Sequence, residues 1–168
     1  MKAAKSWGMC MTKSEHDTRK TYASFRVKGD SLDPQHVTRI LKVLPTISYK
    51  KGEKYFAGQR SGHLMGRTGL WLLSTDRIVA SDNLHHHLLY ILGILVPGRH
   101  DIEPLTRLRA LLAHQKTTSA DLACFWHGRF GEKKPSIPKV VTEVMKLLPA
   151  DLELDFDTDS NEPERQSA

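Results

Sequence analysis

A chain of 168 residues with 39% hydrophobic and 26% charged side chains has the composition of one globular domain, long enough to bury a core without staples. Two cysteines, Cys10 and Cys124, neither in a CxxC pair, exclude a disulfide framework and fit reduced thiols in a cytoplasmic protein; the longest apolar run, Leu88 to Val96, is far short of the ~20 residues that span a bilayer. The net charge of +6 is uneven: the first twenty residues carry five cations and two anions, residues 151–168 carry one cation and seven anions, and the basic stretch between them would attract polyanions weakly.

Residues 1–20 are polar and without periodicity, which reads as a flexible basic tail and not as a signal peptide. From Tyr22 to Lys28 the chain alternates. Ala23, Phe25 and Val27 point one way and Tyr22, Ser24, Arg26 and Lys28 the other, the pattern of a half-buried strand. Gly29-Asp30 turns the chain, Asp33 is placed as an N-cap, and Pro34 fits the first helical position. Val37, Ile40, Leu41 and Leu44 then form one apolar stripe, which Pro45 closes.

Two strands are predicted next, Ile47–Lys51 and Leu70–Thr75. A helix follows with Leu84, Leu88, Ile91, Leu92 and Leu95 on one face, broken by Pro97-Gly98. A second helix carries Leu105, Leu108, Leu111 and Leu112. Leu122 to His127 reads as a strand, and Pro138 opens a helix whose stripe is Val141, Val144, Met145 and Leu148. The last strand alternates Leu152, Leu154 and Phe156 with Asp151, Glu153, Asp155 and Asp157. Residues 160–168 read as a disordered tail, leaving 21–159 as a single α+β domain.

The helix opened by Pro34 returns 104 residues later. Pro34 matches Pro138, Thr38 matches Thr142, and Leu44-Pro45 matches Leu148-Pro149. Two strand–helix–strand units sharing one antiparallel sheet, with the helices on one face, give a ferredoxin-like fold or a variant of it. In that arrangement the last strand lies beside the first, so Asp155 and Asp157 are expected to pair with Arg26 and Lys28 across the strands.

Four stretches hold candidate binding residues. Gly58 to Gly69 carries four glycines together with Arg60, His63, Arg67 and Thr68, a set able to meet an anion, although it is neither a Walker A loop nor a GxGxxG turn. Trp71 follows on a strand with apolar residues on both faces, and is read as core, loop anchor or partner contact. His85-His86-His87 cannot converge on one metal ion, since neighbours on a helix differ by about 100°. His86 is expected opposite the leucine stripe, exposed, with His85 and His87 flanking it. Trp126 and Arg129 lie in an aromatic-basic stretch that departs from the RNA-recognition signature at the second aromatic, where Glu132 to Pro135 follow. No catalytic set, cofactor motif or metal site stands out.

The opening strand leading to Asp33-Pro34, the helix end Leu44-Pro45 and Lys51-Gly52 resemble the bacterial family called domain of unknown function 4279. So do Thr68-Gly69-Leu70-Trp71, a His-Leu pair opening the central helix and Leu154-Asp155-Phe156-Asp157. The resemblance covers about residues 21–158; the chain departs from it in the glycine-rich stretch 57–68 and the histidine run. It implies a fold and a bacterial origin, and no mechanism. The reading that follows is a non-catalytic binding module for a protein partner, in a bacterial immunity or defence setting. The alternatives are a basic nucleic-acid-binding domain, and a hydrolase that uses the glycine-rich loop with a histidine.

Overall fold

The computed structural model describes residues 20–56, 64–98 and 101–159. The two tails apart from Lys20, together with Cys10, Arg60 and His63, lie outside the described residues. In chain order the elements are β1 (Thr21–Gly29), α1 (Pro34–Leu41), β2 (Ile47–Tyr49), β3 (Lys54–Tyr55), β4 (Leu64–Met65), β5 (Gly69–Ser74), α2 (Leu84–Leu95), α3 (Glu103–His114), β6 (Ser119–Gly128), α4 (Lys139–Leu147) and β7 (Asp151–Thr158). Among the described residues no helix is long and apolar enough to cross a membrane.

Five strands form one sheet in the order β2-β5-β1-β6-β7. β5 lies between β1 and β2 and runs antiparallel to both, and β6 runs antiparallel to β1. β6 and β7 are neighbours and parallel. The fold is therefore α+β with a mixed sheet, which corrects the expectation of an antiparallel ferredoxin-like sheet with its last strand against its first. The reason is local. A helical crossover such as α4 brings the chain back in the same direction, and both flanks of β1 are already taken by β5 and β6.

The four helices bury their stripes in one cluster with one face of the sheet. Ala23, Phe25 and Val27 of β1, Trp71 and Leu73 of β5, and Leu122 and Cys124 of β6 meet Val37, Leu84, Leu88, Ile91, Leu108 and Val141 there. Burying a side chain of this kind is worth roughly 1.5–3 kcal/mol, so this layer dominates the stability of the domain. Trp71 belongs to the layer. It is fully buried, meets Phe25 edge to face at 6.5 Å, and donates its indole N–H to Thr38 Oγ1 at 3.0 Å. No surface is left on it for a partner.

Two helix-end readings need correction. Asp33 occupies the N-cap position, but its side chain makes no capping bond; its carboxylate faces the Lys50 ammonium at 3.3 Å. Leu44 is exposed although its counterpart Leu148 is fully buried. Lys42 ends α1 in the left-handed region, with φ of 55°, and turns the chain away before Leu44 can extend the stripe. Leu148 keeps a helical conformation and remains on its stripe.

A feature the alternation did not anticipate is the two-stranded ribbon β3-β4. The Tyr55 ring stacks on Tyr49 of β2 at 4.1 Å. Gly66 lies so close to Tyr49 that a Cβ there would come within 2.6 Å of the ring, so only glycine lets the ribbon settle on it.

Candidate functional site

With every helix on one face of the sheet, the other face carries the alternate residue of each strand. The register brings them side by side: Tyr22 opposite Phe125, Arg26 opposite both Leu72 and Asp121, Lys28 opposite Leu70, and Phe125 opposite Asp155. Tyr49 and Ile47 extend this face at one edge, opposite Leu70 and Leu72. Tyr22, Phe125, Leu70 and Leu72 are half-buried, an apolar and aromatic surface with no helix over it among the described residues.

Near the end where β1 begins, Tyr22 stacks on Phe125, with ring centroids 4.4 Å apart and planes 17° from parallel. Burial raises the Tyr22 hydroxyl pKa above the ordinary tyrosine value, and the negative charges of Asp76 and Asp155 raise it further. The field at the aromatic pair is thus anionic. Towards the other end of β1, Arg26 pairs through Nε with Asp121 and through Nη2 with Glu153 at 2.5 Å, and Lys28 Nζ meets Asp121 Oδ1 at 2.7 Å. Burial works against the Arg26 charge, and the bonds to Asp121 and Glu153 outweigh it, leaving its pKa raised. These pairings correct the expected ones. The buried carboxylate beneath Arg26 and Lys28 is Asp121 of β6, because β6 and not β7 is the neighbour of β1. Across the face two cations, Arg26 and Lys28, meet five carboxylates, Asp121, Asp151, Glu153, Asp155 and Asp157. A chain of net charge +6 presents an acidic sheet.

A groove of about 1080 Å³ opens at the end of the sheet where β1 begins and β6 ends, between the loop 76–83 and the loop 129–135. Trp126, His127, Arg129 and Phe130 line it from β6 and the following loop, and Lys20, Asp76 and Ser81 from the other side. His127 Nε2 lies 2.9 Å from Asp159 Oδ1. Trp126 packs edge to face on Phe156 at 6.2 Å and lies over Gly128, where a Cβ would come within 2.1 Å of the indole.

The sequence-derived candidates do not converge on one place. Trp126 and Arg129 share the groove, and His86 reaches its margin through a 2.9 Å contact with Ser81 Oγ. Arg67 and Thr68 stand at the opposite end of the sheet, just before the pairing of Gly69 with Gly29. Thr68 hydrogen-bonds to Asp30, whose pKa is lowered first by Lys51 and then by Thr68. His86 is exposed, as its helix position predicts; His87 flanks the leucine stripe and is fully buried. Among the described residues no group of three or more His, Cys, Asp or Glu is placed to hold a metal ion. The sequence reading passed over Asp121 and the Tyr22–Phe125 stack. Both were detectable as outward positions of alternating strands, but only a known strand order puts them together.

The family described as domain of unknown function (DUF4279) matches residues 19–160, most of the chain, and the chain belongs to that family. No curated protein matches it, and no solved structure does.

Proposed function

We propose that this member of the DUF4279 family is a non-catalytic binding module that docks a protein partner on the uncovered face of its sheet. The observation that carries the reading is the stacked Tyr22–Phe125 pair on β1 and β6, near one end of a five-stranded sheet and on the face opposite the described helices. Half-buried aromatics ringed by charge are the composition of protein interfaces, where rigid rings supply contact area at little entropic cost. Aromatics on inner strands would also suit stacked bases, but Asp155 stands beside Phe125 and, with Asp76, sets a negative field at the pair that works against phosphates. A cytoplasmic bacterial immunity or defence setting is part of the proposal, on fold-level analogy.

One observation favours the nucleic-acid alternative elsewhere on the molecule. A cavity of about 580 Å³ between α1 and α3 is lined by His36, Arg39, Arg107 and His114 over Ile40 and Leu111. Arg107 is paired with Glu103 at 2.5 Å and Arg39 faces Asp33 at 3.9 Å, which spends part of that charge.

The test is photocrosslinking in the native host with benzoylphenylalanine in place of Phe125, and separately in place of the exposed Arg109 on α3. The reading expects one protein captured stoichiometrically from position 125 and not from 109. Equal capture from both positions, or nucleic acid alone at 125, overturns it.

A further inference from the structure

We infer that the outer edge of β7 accepts an extended segment of the partner as a sixth strand, and that this segment alternates basic and apolar residues. The inference rests on the reading of the sheet face as a docking surface and specifies what lands at its margin. Three observations on different parts of the edge support it.

The first is the backbone. β7 runs for eight residues and among the described residues pairs only with β6, so within them one side of its main chain has no strand beside it. Chains protect such edges with charged side chains, proline or a bulge, cover them, or keep them very short. β7 has no proline, its pairing with β6 is continuous from Asp151 to Thr158, and its guard is a row of carboxylates, which turns away acidic strands and leaves basic ones free to pair. The Lys134 ammonium meets one carbonyl near its end, that of Phe156, at 3.0 Å.

The second is the charge on one side of the strand. Asp151, Glu153, Asp155 and Asp157 stand in a row on the uncovered face, and Glu153 alone of the four has Arg26 as an ion-pair partner among the described residues. A strand laid alongside would stand about 4.8 Å away and put alternate side chains about 5 Å from these carboxylates, where opposite charges attract. A second copy of β7 would bring carboxylate against carboxylate, so the row excludes self-pairing while selecting a basic strand.

The third lies on the helix side. Leu154 of β7 is 52% exposed, and Val140 and Leu147, seven residues apart on α4, are 49% and 50% exposed. α4 packs on β7, and Val140 and Leu147 lie on one exposed side of it. A sixth strand with apolar residues on its helix-facing side would cover Leu154. The edge thus demands opposite chemistry on the two faces of what binds there, and period-two alternation is how an extended chain supplies it.

The test uses three synthetic peptides with blocked ends: four Lys-Val repeats, four Glu-Val repeats, and four lysines followed by four valines. Amide exchange and backbone chemical shifts of the intact protein are followed by NMR. The inference expects the Lys-Val repeat to bind, to slow exchange of β7 amides between residues 152 and 157, and to weaken as salt rises. The block peptide should bind at least tenfold more weakly. The double variant Asp155→Lys, Asp157→Lys, both exposed positions, should lose the Lys-Val peptide at least tenfold and gain the Glu-Val one. Binding that shifts Tyr22 and Phe125 with β7 exchange unchanged overturns the sixth strand and leaves the sheet-face reading standing. Failure of the Lys-Val peptide to bind, or a dimer in sedimentation that the double variant abolishes, also overturns it, whatever position 125 captures.

Discussion

Thr75 Oγ1 and His87 Nδ1 lie 2.7 Å apart, and both side chains are fully buried. The same hydroxyl accepts the Ala23 N–H at 2.9 Å, and His87 Nε2 lies 2.8 Å from the Ser81 carbonyl, so Nε2 carries a proton and donates it. One histidine therefore ties α2, the end of β5, the 76–83 loop and the start of β1. Thr75→Val leaves the Ala23 N–H and His87 Nδ1 without their partner and should cost about 2–3 kcal/mol in urea unfolding. His87→Leu should cost about 2 kcal/mol, since it strips the ring's two contacts in a closed space. His86→Ala, at an exposed position, should stay within about 0.5 kcal/mol. If His87→Leu proves as mild as His86→Ala, the network is not structural.

Asp121 supports two cations from beneath. Its carboxylate is almost fully buried, while Arg26 and Lys28 keep part of their surface in water. Asp121→Ala should destabilise by about 2–3 kcal/mol, below the full cost of a deeply buried broken pair because both cations can turn to solvent. Glu153→Ala removes a partner that is largely exposed and should cost under about 1 kcal/mol. Chemical denaturation at one pH separates the two. Comparable losses would mean that Asp121 is not the anchor.

The alternation of Tyr22 to Lys28 and the helix stripes were legible because burial imposes a period on the sequence, and the uncovered face followed from them. Strand order was not legible. Whether β7 returns beside β1 or beside β6 depends on long-range packing of α4, and either order satisfies the same alternation. Placing β7 beside β1 matches Asp155 and Asp157 to Arg26 and Lys28 and leaves Asp121, one residue before the predicted strand Leu122–His127, without a role. His87 was missed for a related reason. It sits next to the leucine stripe, and a histidine there is buried only if a partner such as Thr75 waits for it, which no local pattern declares.

Cys124 lies in the core layer, and burial pushes its thiol up to about 12. The unfolded thiol titrates near 9, so between pH 9 and 12 the unfolded chain has released a proton that the folded one still holds. The contribution is fully present below pH 9 and is lost as pH rises towards 12, by about 1.4 kcal/mol per unit. Measured in a Cys10→Ser background, the stability of the parent should fall relative to Cys124→Ala over that window. The native thiol should also react slowly with Ellman's reagent at pH 8, because the thiolate is the nucleophile. Parallel stability curves would show that the thiol is not held protonated by the fold.

Lys42 offers the opposite kind of test, a gain. Its φ of 55° and ψ of 30° put a residue with a Cβ in the left-handed region at the end of α1, with its N–H donating to the Thr38 carbonyl at 2.8 Å. That conformation costs a side-chain-bearing residue roughly 1–2 kcal/mol and glycine almost nothing. Glycine repays part of the gain through its more mobile unfolded state. Lys42→Gly should therefore stabilise the domain by about 0.5–1 kcal/mol, and Lys42→Val, β-branched at the same φ, should destabilise it. Leu148 ends α4 in a right-handed conformation, so Leu148→Gly gains nothing there and loses a fully buried side chain, at about 3 kcal/mol or more. A thermal unfolding series of the three variants reads the contrast directly. If Lys42→Gly were destabilising, the left-handed cap would not be what turns Leu44 out of the core and breaks the 104-residue correspondence between the two helices.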